Sequence, residues 1–311
     1  MLKIFVKTPT WLTVLLGLIL LIWQFFQGNL SQNVQVIFFV SLILLTGIPH
    51  GALDHLIQES TDKKQNKKYH FSGFIFKYML IMALYALVWF LFSGFSLLLF
   101  LIISAWHFGE TDLEKVPKNS LIWSFTRLIY GFYVLAFILL THIDEVRPIV
   151  NKMVDNQIYM MVFWNFIKLN VNQILYLLGL SLTTIFIIAQ SQYLVKFDKI
   201  RILRLSIILL LSVWLPLLPA FSLYFGGWHA LCAFDNIHNY LRKDHPGLTL
   251  KLVYLKSLPF TFVAIIFLCG FVMYSNFYIH HFNPFPILFI FISLITLPHL
   301  IIAHQMNHTT S

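Results

Sequence analysis

Long apolar runs joined by short polar connections dominate this sequence. They fall at about 11–27, 34–49, 74–92, 95–109, 121–141, 172–190, 203–218, 220–240, 257–275 and 284–304. One bilayer crossing takes about 20 mostly apolar residues, so about 8–10 spans are expected, with ten as our count. A backbone inside hydrocarbon must satisfy its own N–H and C=O groups, which leaves helices. The expected fold class is all-α, a polytopic transmembrane helical bundle, with residues 1–311 forming a single integral-membrane domain. Composition points the same way. The chain is 59% hydrophobic and 11% charged, with a mean hydropathy of +0.80. Soluble domains carry about 45–50% apolar and about 25% charged residues. An ordinary soluble enzyme, a disordered chain and a coiled coil are thereby excluded.

The formal charge is +9, from 21 Lys+Arg against 12 Asp+Glu. In a soluble protein such an excess would suggest nucleic acid. Here the basic residues form short clusters between apolar runs, so they read as orientation signals, and no nucleic-acid partner is implied. The clusters are Lys3/Lys7, Lys63/Lys64/Lys67/Lys68, Lys196/Lys199/Arg201/Arg204 and Arg242/Lys243/Lys251. Ten spans put two, four and two crossings between successive clusters, so all four clusters can face the cytoplasm. The chain is therefore expected to be a multi-pass protein of the cell (inner) membrane, with both termini cytoplasmic. The run from Trp11 is read as a retained span, because no small-residue cleavage motif follows it. Cys232 and Cys269 lie in apolar stretches and suggest neither a disulfide framework nor a cysteine metal site.

Ionisable residues inside such spans are costly and point to function. Four histidines stand out: His50, His107, His229 and His299, each directly after Pro or Trp. The span directions place all four in the cytoplasmic half of the bundle. Bundle cores can hold metal sites built from facing helices, and imidazole suits Zn, Cu, Fe or Ni. At about 100° per residue, Asp54 lies about 40° around its helix from His50, Glu110 about 60° from His107, and Asn236 about 20° from His229. These three are the candidates to accept the second imidazole N–H of a ligand. His55 and His304 lie about 140° from His50 and His299 and are expected to face elsewhere. His70, His142, His245, His280, His281 and His308 fall in loops or at interfaces and are expected to be solvated. A lone intramembrane imidazole can also serve as a plain hydrogen-bonding residue between helices. A histidine-lined transporter, with helices broken at Pro49 and Pro298, is a further alternative.

The motifs around these histidines extend the reading. Pro49-His50-Gly51-Ala52-Leu53-Asp54-His55, Trp106-His107-Phe108-Gly109-Glu110, Trp228-His229-Ala230-Leu231 and Leu297-Pro298-His299 occur in that order over nearly the whole chain. In this the sequence resembles the Brp/Blh family of integral-membrane β-carotene 15,15'-dioxygenases. The resemblance implies cleavage of β-carotene at its central double bond with O₂, giving two all-trans-retinal, and a link through retinal to microbial rhodopsins. It also implies a non-haem Fe(2+) held by histidines, with His50, His107 and His229 as the ligands and catalytic residues. The partners implied are β-carotene, O₂ and the lipid bilayer.

The chain departs from the family pattern at Ala233, where a second histidine is expected four residues after His229. Three explanations are open. His299 completes the set, a water fills the position, or the chain is a non-catalytic or altered-substrate carotenoid-binding relative. Cys232 is about 100° off the face of Ala233 and is a poor substitute. No Ser-His-Asp set, P-loop or dinucleotide fingerprint is evident, so no nucleotide cofactor is implied.

Overall fold

The computed structural model describes residues 10–154, 158–278 and 284–308. Among the described residues all regular structure is helical, as expected for a chain that must satisfy its backbone internally. The helices are α1 (Thr10–Gln27), α2 (Gln32–Lys64), α3 (Phe71–Leu91), α4 (Ser93–Asp112), α5 (Leu121–Thr141), α6 (Ile143–Met153), α7 (Ile158–Gln192), α8 (Lys199–Trp214), α9 (Leu217–Arg242), α10 (Leu250–Tyr278) and α11 (Pro284–His308). Several starts are set by side-chain caps. The Ser31 hydroxyl accepts from the Val34 N–H before α2, and the Asp198 carboxylate accepts from the Ile200 N–H before α8.

Nine of the described helices are long and apolar enough to cross a membrane. The expected run at 203–218 corresponds to α8, which has only 16 residues. At 1.5 Å per residue it is about 24 Å long, against a hydrocarbon core of about 30 Å. Two hydrogen bonds fix its direction. Arg204 Nη1 donates to Thr10 Oγ1 at 2.7 Å, and Gln24 Nε2 donates to the Trp214 carbonyl at 2.9 Å. Starts and ends therefore coincide, and α8 runs parallel to α1, the direction that a ten-span count requires. Helix α7 begins at Ile158, well before the expected residue 172. The short α6 buries Ile143, Val146 and Met153. It is tied to α7 by Trp164 Nε1–Asn151 Oδ1 at 2.8 Å and by Lys168 Nζ–Asp144 Oδ1 at 2.5 Å.

Helix α9 is the axis of the bundle. Every residue from Leu217 to Tyr224 is buried, and so are Trp228 and His229. Around it pack Val14, Phe39, Phe108, Val134 and Ile208, from five different helices. Phe90, Leu169 and Ile266, on α3, α7 and α10, are exposed and present the apolar surface that lipid covers. Helices α4 and α5 approach with no side chain between them at two points. A methyl group on Gly109 would strike the Arg127 carbonyl, and one on Gly131 would strike the Ala105 carbonyl. Small residues at a crossing allow this close approach in a membrane, where packing drives association. The contact sets the position of the α4 segment that carries His107.

Candidate metal centre

Two local irregularities in otherwise regular helices aim the first pair of histidines. Helix α2 widens to a π turn at Ile43–Gly47, immediately before Pro49 and His50. Helix α9 does the same at Phe225–His229, so His229 ends its π turn. Each is closed by a bond across five residues: the Ile48 N–H to the Ile43 carbonyl, and the Ala230 N–H to the Phe225 carbonyl. Single π turns of this kind recur at functional sites because the extra residue redirects the side chains that follow. The two turns face each other. Thr46 Oγ1 donates to the Gly226 carbonyl at 2.9 Å, which joins α2 to α9 at this level.

The structure brings His50, His107, His229 and His299 together. Ring centroids are 4.7 Å apart for His107 and His229, and 4.8 Å for His107 and His299. They are 5.1 Å apart for His50 and His299, and 5.6 Å for His50 and His229. All four residues are buried, at 5% exposure or less. His50, His107 and His229 each offer a ring nitrogen, and these atoms lie within 4.8 Å of one another. His299 borders this trio through its ring contacts with His50 and His107.

Hydrogen bonding distinguishes the two nitrogens of His50 and of His299. His50 Nδ1 lies 3.3 Å from the Thr46 carbonyl. His299 Nδ1 lies 2.7 Å from Asp54 Oδ1, and the Tyr78 hydroxyl donates to Asp54 Oδ2 at 3.1 Å. Among the described residues, His299 Nε2 and both ring nitrogens of His107 and His229 are buried without a hydrogen-bond partner. Buried polar atoms are seldom left so. Converging unpartnered imidazole nitrogens, with the opposite nitrogens of His50 and His299 held by a carbonyl and a carboxylate, fit a transition-metal ion. The donor set therefore fits the group that the sequence motifs imply.

An apolar cavity of about 740 Å³ adjoins the cluster. His50, His107 and His299 line it, together with apolar side chains such as Leu97, Ile149, Phe221, Phe225 and Phe289. His229 is not among the lining residues and sits behind the other three. The site thus has an imidazole face and a large apolar chamber.

The expected outer partners are arranged differently from their helical angles. Asp54 pairs with His299, on another helix, and not with His50. Helix α2 tightens after its π turn, with the Leu53 N–H reaching the His50 carbonyl three residues back, so the 100° step fails between His50 and Asp54. Glu110 pairs with His304 Nδ1 at 2.8 Å and leaves both His107 nitrogens without a partner. Asn236 Nδ2 donates to the Thr111 carbonyl at 3.2 Å. It is seven residues from His229, about 10.5 Å along the axis, too far for contact at any angle. His55 and His304 stay outside the cluster: His55 Nδ1 lies 3.1 Å from the Ala52 carbonyl.

Two of the histidines expected to be solvated are engaged. His142 is buried, its ring nitrogens 2.7 Å from the Ile138 and Leu215 carbonyls, where it bridges the end of α5 to the entry of α9. His308 approaches Glu110. His70 and His245 are exposed as expected, and His280 and His281 lie outside the described residues. Ala233 is buried, and Cys232 is buried as a free thiol. The site residue that sequence reasoning missed is Tyr78. It sits in an ordinary apolar span, and only the fold shows that it meets Asp54.

A bundle of membrane-length helices around a buried four-imidazole cluster, open to an apolar chamber, defines a membrane-embedded site suited to metal chemistry on a hydrophobic substrate. A model of the family described as beta-carotene 15,15'-dioxygenase matches residues 40–307, and the chain belongs to that family. A beta-carotene 15,15'-dioxygenase from an uncultured marine bacterium 66A03 is 26% identical over 191 residues. That alignment covers 61% of this chain and 65% of the relative's length. No solved structure matches the chain.

Proposed function

We propose that this chain cleaves β-carotene at its central double bond with O₂, giving two molecules of all-trans-retinal, and that it does so with Fe(2+) held by His50, His107 and His229. His299 supplies the fourth imidazole in place of the histidine that Ala233 replaces. The observation that carries this reading is the coincidence of unpartnered imidazole nitrogens with the wall of a large apolar chamber. Bound at this cluster, Fe(2+) would supply the O₂ chemistry that no side chain can perform.

The chain's own residues perform the rest. The chamber holds a polyene by apolar contact, with Phe221, Phe225 and Phe289 along its wall, and excludes water from the reacting double bond. Asp54, itself held by Tyr78, fixes the ring of His299 through Nδ1, and the Thr46 carbonyl fixes that of His50. Both rings then present Nε2. A carotenoid is confined to lipid, so a chamber within the bundle can receive it laterally with no aqueous step. We place the protein in the cell membrane as one integral-membrane domain with its basic clusters and both termini cytoplasmic. The retinal it releases is of the kind a microbial rhodopsin binds.

The test is cleavage by purified protein in lipid vesicles loaded with β-carotene. Retinal should form only in the presence of O₂, should vanish on chelation and should return with Fe(2+) before other divalent ions. Undiminished cleavage after complete metal removal would overturn the assignment. Binding of β-carotene without O₂ consumption would instead favour a carotenoid-binding relative.

A further inference from the structure

One turn beyond His107, toward the end of α4, lies a second group of potential ligands that the central site does not use. Glu110 is 3% exposed. Its Oε1 lies 2.8 Å from His304 Nδ1 and 3.9 Å from His308 Nε2. The two histidines are four residues apart on the last turns of α11, on one face, with ring centroids 4.2 Å apart. They are partly open to solvent, with side-chain exposures of 45% and 34%. One donor atom from each of the three residues lies within 4.8 Å of the others.

We propose that Glu110, His304 and His308 form a second, solvent-facing site for a divalent transition-metal ion of the zinc class. Around a tetrahedral ion with ligand bonds of about 2.0–2.1 Å, neighbouring donor atoms lie about 3.3 Å apart. The 2.8 and 3.9 Å separations from Glu110 Oε1 bracket that value, and the two imidazole donors lie within 4.8 Å of each other, so turning the two partly exposed rings completes the geometry. A simple Glu110–His304 hydrogen bond accounts for Oε1 alone. Glu110 Oε2 is also buried and has no hydrogen-bond partner among the described residues, which leaves a carboxylate oxygen to be satisfied at the same place. The nearby Arg127 does not supply this partner: its Nη2 donates to the Val116 and Pro117 carbonyls, and its Nε is itself buried with no hydrogen-bond partner among the described residues. Two imidazoles and a carboxylate match zinc-type ligation with a position left for water.

Such an ion would join α4 to α11. These helices carry His107 and His299, so the outer site would brace two of the four central imidazoles from the water side. The inner and outer clusters are separate: no residue is shared, and Glu110 lies about 4.5 Å along α4 from His107. The proposal does not depend on the identity of the reaction.

Co²⁺ titration of detergent-purified protein, made without a polyhistidine tag, tests it. The visible Co²⁺ absorption reports each bound equivalent. His107→Ala should retain one Co²⁺ equivalent, and His107→Ala combined with His304→Ala and His308→Ala should bind none. The His304→Ala, His308→Ala double variant should bind one equivalent fewer than the parent. As a check that does not depend on absolute stoichiometry, Zn²⁺ should raise the melting temperature of His107→Ala but not that of the triple variant. Equal equivalents in the parent and the double variant, or no Co²⁺ bound by His107→Ala, would overturn the second site.

Discussion

Removing the carboxylate of Asp54 should weaken metal binding at a centre that Asp54 does not touch. Its Oδ1 lies 2.7 Å from His299 Nδ1, and Asp54 and His299 are 2% and 5% exposed. Losing the hydrogen-bond partner of a metal-bound histidine typically lowers metal affinity about 10–100-fold, or about 1.4–2.8 kcal/mol at about 1.4 kcal/mol per decade. An unpartnered buried donor costs about 1–3 kcal/mol, which brackets the same range. Asp54→Ala should therefore bind Fe(2+) about 10–100-fold more weakly. Tyr78→Phe removes only the 3.1 Å bond to the other carboxylate oxygen. Its effect should be smaller, within about tenfold, the size of one net hydrogen bond. Competition with a chromogenic chelator measures both, and circular dichroism confirms that the helices persist. Parental affinity in Asp54→Ala, with affinity lost in His107→Ala, would refute the role of His299 as a positioned imidazole.

Other consequences are independent of that chain. Gly131→Ala places a methyl against the Ala105 carbonyl; overpacking of this kind costs about 1–3 kcal/mol, so the melting temperature should fall, and an unchanged value would show that α4 and α5 can separate freely. Ala233→His should tighten Fe(2+) binding by adding an imidazole one turn below His229, and unchanged affinity would mean that this face of α9 points away from the cluster. Burial works to raise the Asp244 carboxyl, but the Ser60 hydroxyl and the Lys64 ammonium, 3.2 Å away, outweigh it and hold the carboxyl below its ordinary value. A depressed carboxylate stabilises the fold at neutral pH and loses that contribution as pH falls through its folded value, so Asp244→Asn should flatten the acid limb of a melting-temperature profile. An acid limb identical to the parent's would place the loss elsewhere.

Much of this could be read from the sequence because a bilayer permits so few solutions. Apolar runs of span length gave helices at nearly the expected places, and the direction of each span placed His50, His107, His229 and His299 at one depth before any contact was known. What escaped was set by departures from regular helix. The angular rule assigned Asp54 to His50, but the π turn before Pro49 and the tightened turn at Leu53 carry it to His299. It assigned Asn236 to His229 by rotation while neglecting the rise between them. Tyr78 gave no signal and His142 looked solvated because a partner of each comes from a distant segment, 24 and 73 residues away. His308 looked like a solvated residue until α11 packed against α4 and placed it near Glu110.

The central claim is that the buried imidazoles hold the metal that cleaves the carotenoid. Cells engineered to accumulate β-carotene test it directly when they express either the parent or His107→Ala at equal membrane abundance. The account predicts loss of orange colour and appearance of retinal with the parent alone. Equal retinal from both would contradict it, because a metal-holding imidazole whose nitrogens have no other partner among the described residues could not be dispensable.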